Sequence, residues 1–168
     1  MPQAATLLAS EPRSSLARTA SAAVRIASAG AEARPVSWDK HFGEIEAGYR
    51  RSGGIASDAN VVSMLRQCSD QPLSRLARWI VARDVLNFEC RGTIWLPLFQ
   101  FEAGTPSILP AVTAVIRELA DVFDDEELAT WFAFPNTWLQ GKAPVDTVES
   151  YPFAVRDAAR ADRFIARG

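Results

Sequence analysis

The sequence predicts a mainly α-helical protein. We expect a small helical domain with a helix-turn-helix-like pair and one β-hairpin, followed by a helical bundle. Apolar residues recur at three- and four-residue spacing in several segments, which indicates amphipathic helices. Residues 85–101 differ, because they are rich in β-branched and aromatic residues around a glycine. Hydrophobic residues make up 48% of the 168-residue chain, so it can bury a substantial core.

The first 35 residues are rich in alanine, serine and arginine and poor in acids. This composition is typical of an organellar transit peptide, and equally of a flexible tail in an arginine- and alanine-rich bacterial protein. Residues 36–56 are predicted to form a short helix and a linker that Ser52-Gly53-Gly54 begins. The helix is indicated by four apolar residues at helical spacing: Trp38, Phe42, Ile45 and Tyr49.

Two short helices are predicted in the next segment, residues 57–103. Ser57 or Asp58 can cap the first helix, which runs to about Gln67. Pro72 opens the second, from about Leu73 to Arg83. The predicted buried residues are Val61, Val62, Met64 and Leu65 in the first helix and Leu73, Leu76, Ala77 and Ile80 in the second. A tight turn between such helices is typical of a helix-turn-helix, whose DNA-contacting side chains would be Ser74, Arg75, Arg78 and Arg83.

A β-hairpin is predicted after the helix pair. Two β-rich runs, residues 85–88 and 93–96, flank a turn at Arg91-Gly92. Pro97 restricts the second strand to an edge or ends its pairing early. A helix-turn-helix followed by a hairpin has the shape of a small winged module.

The segment 104–168 is predicted to be helical, after a joint marked by Gly104, Pro106 and Pro110. Its first helix carries Val112, Val115, Ile116, Leu119 and Val122 on one face. Asp124 and Asp125 can cap the next helix, whose buried face is predicted as Leu128, Trp131 and Phe132. Pro152 opens a final helix that runs nearly to the C-terminus.

A series at unusual spacing starts at the end of the second of these helices and continues through the loop before the final helix: Trp131, Pro135, Asn136, Leu139, Gly141, Pro144 and Asp146. These residues have a structural explanation as a connection. Proline extends the residue before it, Asn136 can bond the backbone two residues on, and Gly141 supplies a positive φ. Asp146 is a predicted helix cap after Pro144. The same loop can present Trp138 and Lys142 to a partner, unless Trp138 belongs to the core.

Four arginines of the final helix, Arg156, Arg160, Arg163 and Arg167, share one face because they are spaced four, three and four residues apart. Val155, Ala158 and Ile165 are predicted closer to the other side of the helix. Three interpretations of the arginine face remain open. It is a solvated surface, it docks on the acidic stretch between residues 108 and 150, or it binds an acidic or phosphate-bearing partner.

The sequence offers little for catalysis, so we expect no enzyme, no cofactor and no metal. His41 is the only histidine, and Cys68 and Cys90 lack metal-type spacing. A nucleophile elbow and a phosphate-binding glycine loop are both missing from the sequence.

A net charge of −2 argues against nonspecific nucleic-acid binding by the whole molecule. The cysteine pattern suggests a cytoplasmic setting, and no apolar run has the length of a membrane span.

Two strings together resemble the Xre/MbcA/ParS-type antitoxins of bacterial type II toxin–antitoxin systems. One is Gly92, Pro97 and Phe99-Gln100-Phe101, and the other is the series from Trp131 to Asp146. The resemblance covers roughly residues 57–168. It implies that residues 104–168 form a helical domain that binds and neutralises a cognate toxin, typically one that targets NAD. It favours a tail in a bacterial protein over a transit peptide.

Further expectations follow from this resemblance. The toxin-binding residues would be Trp138, Lys142, Arg156, Arg160, Arg163 and Arg167, with Arg167 entering a site built for NAD phosphates. The N-terminal part would repress its own operon by binding operator DNA, and we expect a homodimer. Gln67-Cys68-Ser69 departs from the family, which often has a glycine in that turn. The alternatives are an orphan DNA-binding regulator without a toxin, or an adaptor that recruits a protein through its acidic helices.

Overall fold

The computed structural model describes residues 38–103, 105 and 107–168. The helices are α1 (Trp38–Tyr49), α2 (Asp58–Leu65), α3 (Pro72–Val81), α4 (Pro110–Leu119), α5 (Asp125–Ala133), α6 (Pro144–Thr147) and α7 (Pro152–Arg167), and the strands are β1 (Ile55–Ser57), β2 (Phe88–Cys90) and β3 (Thr93–Pro97). The predicted mainly helical class is confirmed. The predicted tail and the joint residues Gly104 and Pro106 lie outside the described residues. No helix of the described part has the length and apolarity needed to cross a membrane.

The strands form one antiparallel sheet in the order β1-β3-β2. The predicted hairpin turn is confirmed, because Arg91 and Gly92 both have positive φ, as a two-residue turn between twisted strands requires. One expectation was wrong, because residues 85–87 are not part of a strand. Of the two alternatives for Pro97, the edge position is wrong, since β3 is central and the unpredicted β1 pairs along its other side, whereas the end of the strand at Pro97 is observed. Pro97 ends β3, and the Leu98 N–H continues the contact by donating to the Gly54 carbonyl at 2.9 Å.

The pair α2 and α3 packs on the sheet around a small core. Ser57 caps α2, since its side chain accepts a hydrogen bond from the Asn60 N–H. Val61, Leu65, Leu76, Ala77 and Ile80 are buried as predicted. Met64 and Leu73 are exposed, which corrects their predicted burial. A helix as short as α2 contacts its neighbours along one narrow line, and residues four apart occupy that line.

A larger core lies between α1 and the helices α4 to α7. It includes Ile45, Tyr49, Ile116, Phe132 and Val155, all nearly inaccessible. The Tyr49 hydroxyl donates to the Ala129 carbonyl at 2.6 Å, and burial raises the pKa of this tyrosine well above 10.0. The helix α1 is therefore fixed to α5.

Buried Gln100 connects the strands to the segment before them. Its side-chain oxygen accepts the Leu86 N–H at 2.6 Å, and its amide donates to the carbonyls of Leu86 and Pro97. Phe99 beside it stacks on Tyr49 with ring centroids 5.6 Å apart. The Phe99-Gln100-Phe101 string is therefore explained by the packing and hydrogen bonding of a joint.

The connection from α5 to α6 follows the predicted mechanism in most respects. Phe134 is extended before Pro135, the Asn136 side chain accepts the Trp138 N–H at 2.9 Å, and Gly141 has a positive φ of 78°. The predicted cap at Asp146 was wrong. Pro144 is already the first residue of α6 and Ala143 precedes it as the cap, so Asp146 lies exposed inside the helix.

Candidate interaction surface on the final helix

The helix α7 is attached to the rest of the protein by a narrow apolar line. Val155, Ala158 and Ala159 are buried against the larger core, and Pro152 begins the helix. Ile165 also lies away from the arginine face, as predicted, but 63% of it is exposed. Ten residues after Val155, an α-helical position has rotated about 80° away from the buried line. Because two of the three buried residues are alanines, polar contacts on either side contribute much of the attachment.

The arginine face of α7 docks on two acids of the α4 segment. Arg156 Nε and Arg160 Nε each lie 3.1 Å from Glu118 Oε1, and Arg163 Nη1 lies 3.1 Å from Glu118 Oε2. Arg163 and Arg167 also pair with Asp121. Of the three interpretations left open by the sequence, the structure agrees with the second, in which the arginine face docks on the acidic stretch of the same chain.

Glu118 is the centre of this network, and only 14% of its side chain is exposed. Burial by itself would raise the pKa of Glu118. Hydrogen bonds from Arg156 and Arg160, together with their charges, outweigh that effect, so its pKa lies below the ordinary 4.5. The carboxylate therefore stays ionised and holds the arginines on α4.

On the other side of α7, Asp162 accepts three hydrogen bonds, one from the end of α5 and two from the loop that follows it. Its Oδ2 accepts from Trp131 Nε1 at 2.8 Å and from Asn136 Nδ2 at 2.7 Å. Its Oδ1 accepts from Trp138 Nε1 at 2.8 Å. Trp131, predicted as core, is only partly buried, because its indole N–H reaches this carboxylate. One acid thereby joins α7 to Trp131 and Asn136 of the series and to Trp138, which follows them.

The same contact fixes an exposed tryptophan. Trp138 is 55% exposed, yet both its backbone and its indole N–H are bonded, to Asn136 and to Asp162. Lys142, whose carbonyl accepts the Asn136 N–H at 3.0 Å, is also exposed. Leu139 and Pro144 are buried beneath them. The loop therefore presents an oriented indole and a nearby lysine on a firm base.

The four residues predicted to contact DNA do not share one surface. Ser74 and Arg78 are exposed on α3, and the Arg75 guanidinium lies 4.8 Å from the ring centre of Trp79. Arg83 follows α3 in a left-handed conformation, with φ 52°. Its guanidinium bonds the Phe123 carbonyl and Asp125 at the joint of α4 and α5, so Arg83 is a structural contact.

The other acidic residues and the histidine that a catalytic or metal site would need make contacts that stabilise the fold. Asp124 and Glu127 form a reciprocal cap at the start of α5. His41 of α1 has its Nε2 atom 3.3 Å from a carboxylate oxygen of Glu126, which belongs to α5. The described residues contain no group of three histidine, cysteine, aspartate or glutamate side chains that could hold a metal ion. No family model, curated protein or solved structure matched the chain.

Proposed function

We propose that this protein is an antitoxin that binds and neutralises a cognate toxin through its C-terminal helical part, residues 104–168. The observation that carries the proposal is the oriented, exposed indole of Trp138. Tryptophan is enriched among the residues that dominate protein–protein binding, and a fixed ring loses little conformational freedom when a partner covers it. The resemblance to Xre/MbcA/ParS-type antitoxins supplies the class of partner, a toxin that targets NAD.

The surroundings of Trp138 suggest the chemistry of the partner surface. Ile165, exposed, follows Asp162 by one turn of α7, so it lies near the bonded indole. Lys142, exposed, belongs to the same loop. An apolar centre with a basic neighbour fits a partner that offers an apolar pocket beside an acidic group.

The four arginines of α7 have an indirect part in this proposal. Their ion pairs with Glu118 and Asp121 hold the helix on which Asp162 is placed. Arg167 would have to leave Asp121 before it could enter an NAD-phosphate site. We therefore assign Trp138 and Lys142 to direct toxin contact, and the arginines to positioning of α7.

The test is co-purification of this protein with the product of each adjacent reading frame, for the wild type and for Trp138→Ala. We expect a stable complex with the wild type and at least a tenfold weaker one with the variant, as a central anchor implies. Val81→Ala is a matched control, because Val81 is exposed and apolar but lies on α3. Removing all of α7 would be less informative, since the larger core would lose Val155, Ala158 and Ala159.

Two outcomes would contradict different parts of this proposal. The antitoxin function is wrong if neither neighbouring gene product binds the wild-type protein and neither product is inhibited by it. If a toxin binds equally well to the wild type and to folded Trp138→Ala, the function stands and the anchor is wrong.

The second candidate function is a DNA-binding regulator, and the order of elements favours it. A helix, a strand, two helices and a hairpin follow one another from α1 to β3, and β1 pairs beside β3. This order is similar to that of a winged helix-turn-helix, and Ser74 and Arg78 are exposed on the second helix of the pair. Autorepression by an antitoxin would use the same surface.

Fluorescence anisotropy with a labelled fragment from upstream of the gene tests this candidate. We expect Arg78→Ala to weaken binding and to reduce the slope of log affinity against log salt by about one. Lys40→Ala, on α1, is the control for a general loss of positive charge. DNA binding without any toxin would indicate the orphan regulator, and unchanged binding by Arg78→Ala would exclude α3 as the contact.

A further inference from the structure

Two phenylalanines are exposed on the side of α7 that faces away from the core. Phe153 is 81% exposed and Phe164 is 78% exposed. They are separated by 11 positions, after which an α-helix returns to within about 20° of the same direction, about 16 Å further along its axis. The two rings therefore lie on one line, opposite the buried Val155. Paired exposed rings of this kind indicate a surface that a partner covers.

Opposite charges lie between the two rings. Asp157 and Arg160 are exposed, and Arg160 Nη1 lies 3.2 Å from Asp157 Oδ1. Phe153 precedes Asp157 by four residues, and Phe164 follows Arg160 by four. Along the outward line the order is therefore Phe153, Asp157, Arg160 and Phe164. The spacing is the same in both directions from the middle of α7.

We propose that a second copy of this chain docks on this line, with the two α7 helices antiparallel. In that arrangement Phe153 of each copy meets Phe164 of the other, and Asp157 meets Arg160, in both halves of the contact. A twofold interface requires this self-complementarity. A parallel arrangement would place Asp157 against Asp157 and Arg160 against Arg160, so the charges select the antiparallel one.

This contact leaves the Trp138 surface accessible. Asp162, which holds the Trp138 indole, lies seven residues after Val155 and therefore near the buried line of α7. The docking line is on the opposite side of the helix. The inference is thus independent of the proposed function, and a dimer could bind a toxin on each copy.

The size of the contact sets the expected strength. A 16-residue helix is about 24 Å long, and one pair of such helices buries an area at the low end of specific interfaces. We expect a dimer that dissociates on dilution. Sedimentation velocity of the full chain over a hundredfold concentration range will show a dimer that converts to a monomer.

Two substitutions test the register. Asp157→Lys and Arg160→Glu each place like charges together, so each protein alone should dimerise at least tenfold more weakly than the wild type. Mixed in equal amounts, they should form a heterodimer. In it the introduced lysine of one copy meets the introduced glutamate of the other, and the unchanged Arg160 meets the unchanged Asp157. General damage to the helix would not be reversed by mixing. Glu46→Lys, at an exposed position of α1, is the control for a change of net charge.

The apolar part is tested separately, so the inference does not depend on the folding of Arg160→Glu, which also lacks a Glu118 contact. Phe153→Ser with Phe164→Ser should be monomeric throughout the concentration range. A monomeric wild type would overturn the proposal. So would a dimer that survives this double substitution, or folded charge variants that dimerise like the wild type or fail to recover on mixing.

Discussion

The two sides of α7 have opposite relations to the rest of the protein. The arginine side is rich in charge yet faces inward, since its guanidinium groups pair with Glu118 and Asp121. The outward side carries the rings of Phe153 and Phe164, which are almost free of contact. In this helix the arginines contribute to attachment, and the outward line combines two rings with the charges of Asp157 and Arg160, so Arg160 belongs to both sides. The comparison shows that charge alone does not identify the face of a helix that meets a partner.

Physical chemistry explains why this arrangement is stable. The buried line of α7 contains one valine and two alanines, which bury little apolar area. Ion pairs centred on a nearly buried carboxylate supply additional attachment, because charge-assisted hydrogen bonds strengthen where water is partly excluded. The exposed rings of Phe153 and Phe164 take no part in holding α7 on the protein, so they remain available to another surface.

The largest expected effect is that of Glu118→Ala. It removes three hydrogen-bonded ion pairs and leaves the partner arginines without their shared carboxylate. We expect the free energy of unfolding to fall by about 2–3 kcal/mol, a value that allows for the partial exposure of the arginines. Urea unfolding followed by circular dichroism measures it.

Asp146→Ala is the matched control for that measurement. Asp146 is an exposed acid on α6, and its removal should change the stability by less than about 0.5 kcal/mol. Equal effects of the two substitutions would mean that the arginine side of α7 does not provide the attachment described here.

Asp162→Ala should have the next largest effect, because Trp131 of α5 and two donors of the following loop lose their acceptor. We expect a loss of about 2 kcal/mol in unfolding free energy. The control on the same helix is Asp157→Ala, which at low protein concentration removes only an exposed pair and should cost less than about 0.5 kcal/mol. A cost for Asp162→Ala as small as that of its control would show that this carboxylate does not hold the loop.

The sequence predicted much of the fold, because most elements have local causes. The Arg91-Gly92 turn, the Ser57 cap and the Asn136 side-chain bond all depend on neighbours within a few residues. The strand β1 was missed, since three residues carry no readable periodicity. Its pairing depends on β3, about 40 positions further along the chain.

The candidate site was harder to predict from sequence. The arginine spacing placed four guanidinium groups on one face, but the position of Glu118 relative to them depends on how α4 packs against α7. Asp162 had a signal that could have been used: it continues the line of Val155, Ala158 and Ala159 at helical spacing. An acid on a buried line requires donors, and the indoles and the asparagine amide supply them.

Lowering the pH should reduce the free energy of unfolding by a smaller amount. Because the pKa of Glu118 is lowered in the folded state, the unfolded chain takes up a proton at higher pH than the folded one. Its stabilising contribution is therefore complete above the ordinary 4.5 and is lost as the pH falls through the lower folded value. Unfolding free energies measured from pH 6 to pH 3 should fall less steeply for Glu118→Gln than for the wild type. Identical slopes would contradict the assignment.

The smallest effect on stability should come from replacing both outward rings, although the change in polarity is large. Phe153→Ser with Phe164→Ser removes side chains that contact little in a single copy, so its unfolding free energy should change by less than about 1 kcal/mol at low protein concentration. At high concentration the wild type should gain stability through association, and the double variant should not. Urea unfolding at two concentrations a hundredfold apart separates the two contributions. A loss at low concentration comparable to that of Glu118→Ala would mean that the rings belong to the fold and that the two sides of α7 do not differ in the way described.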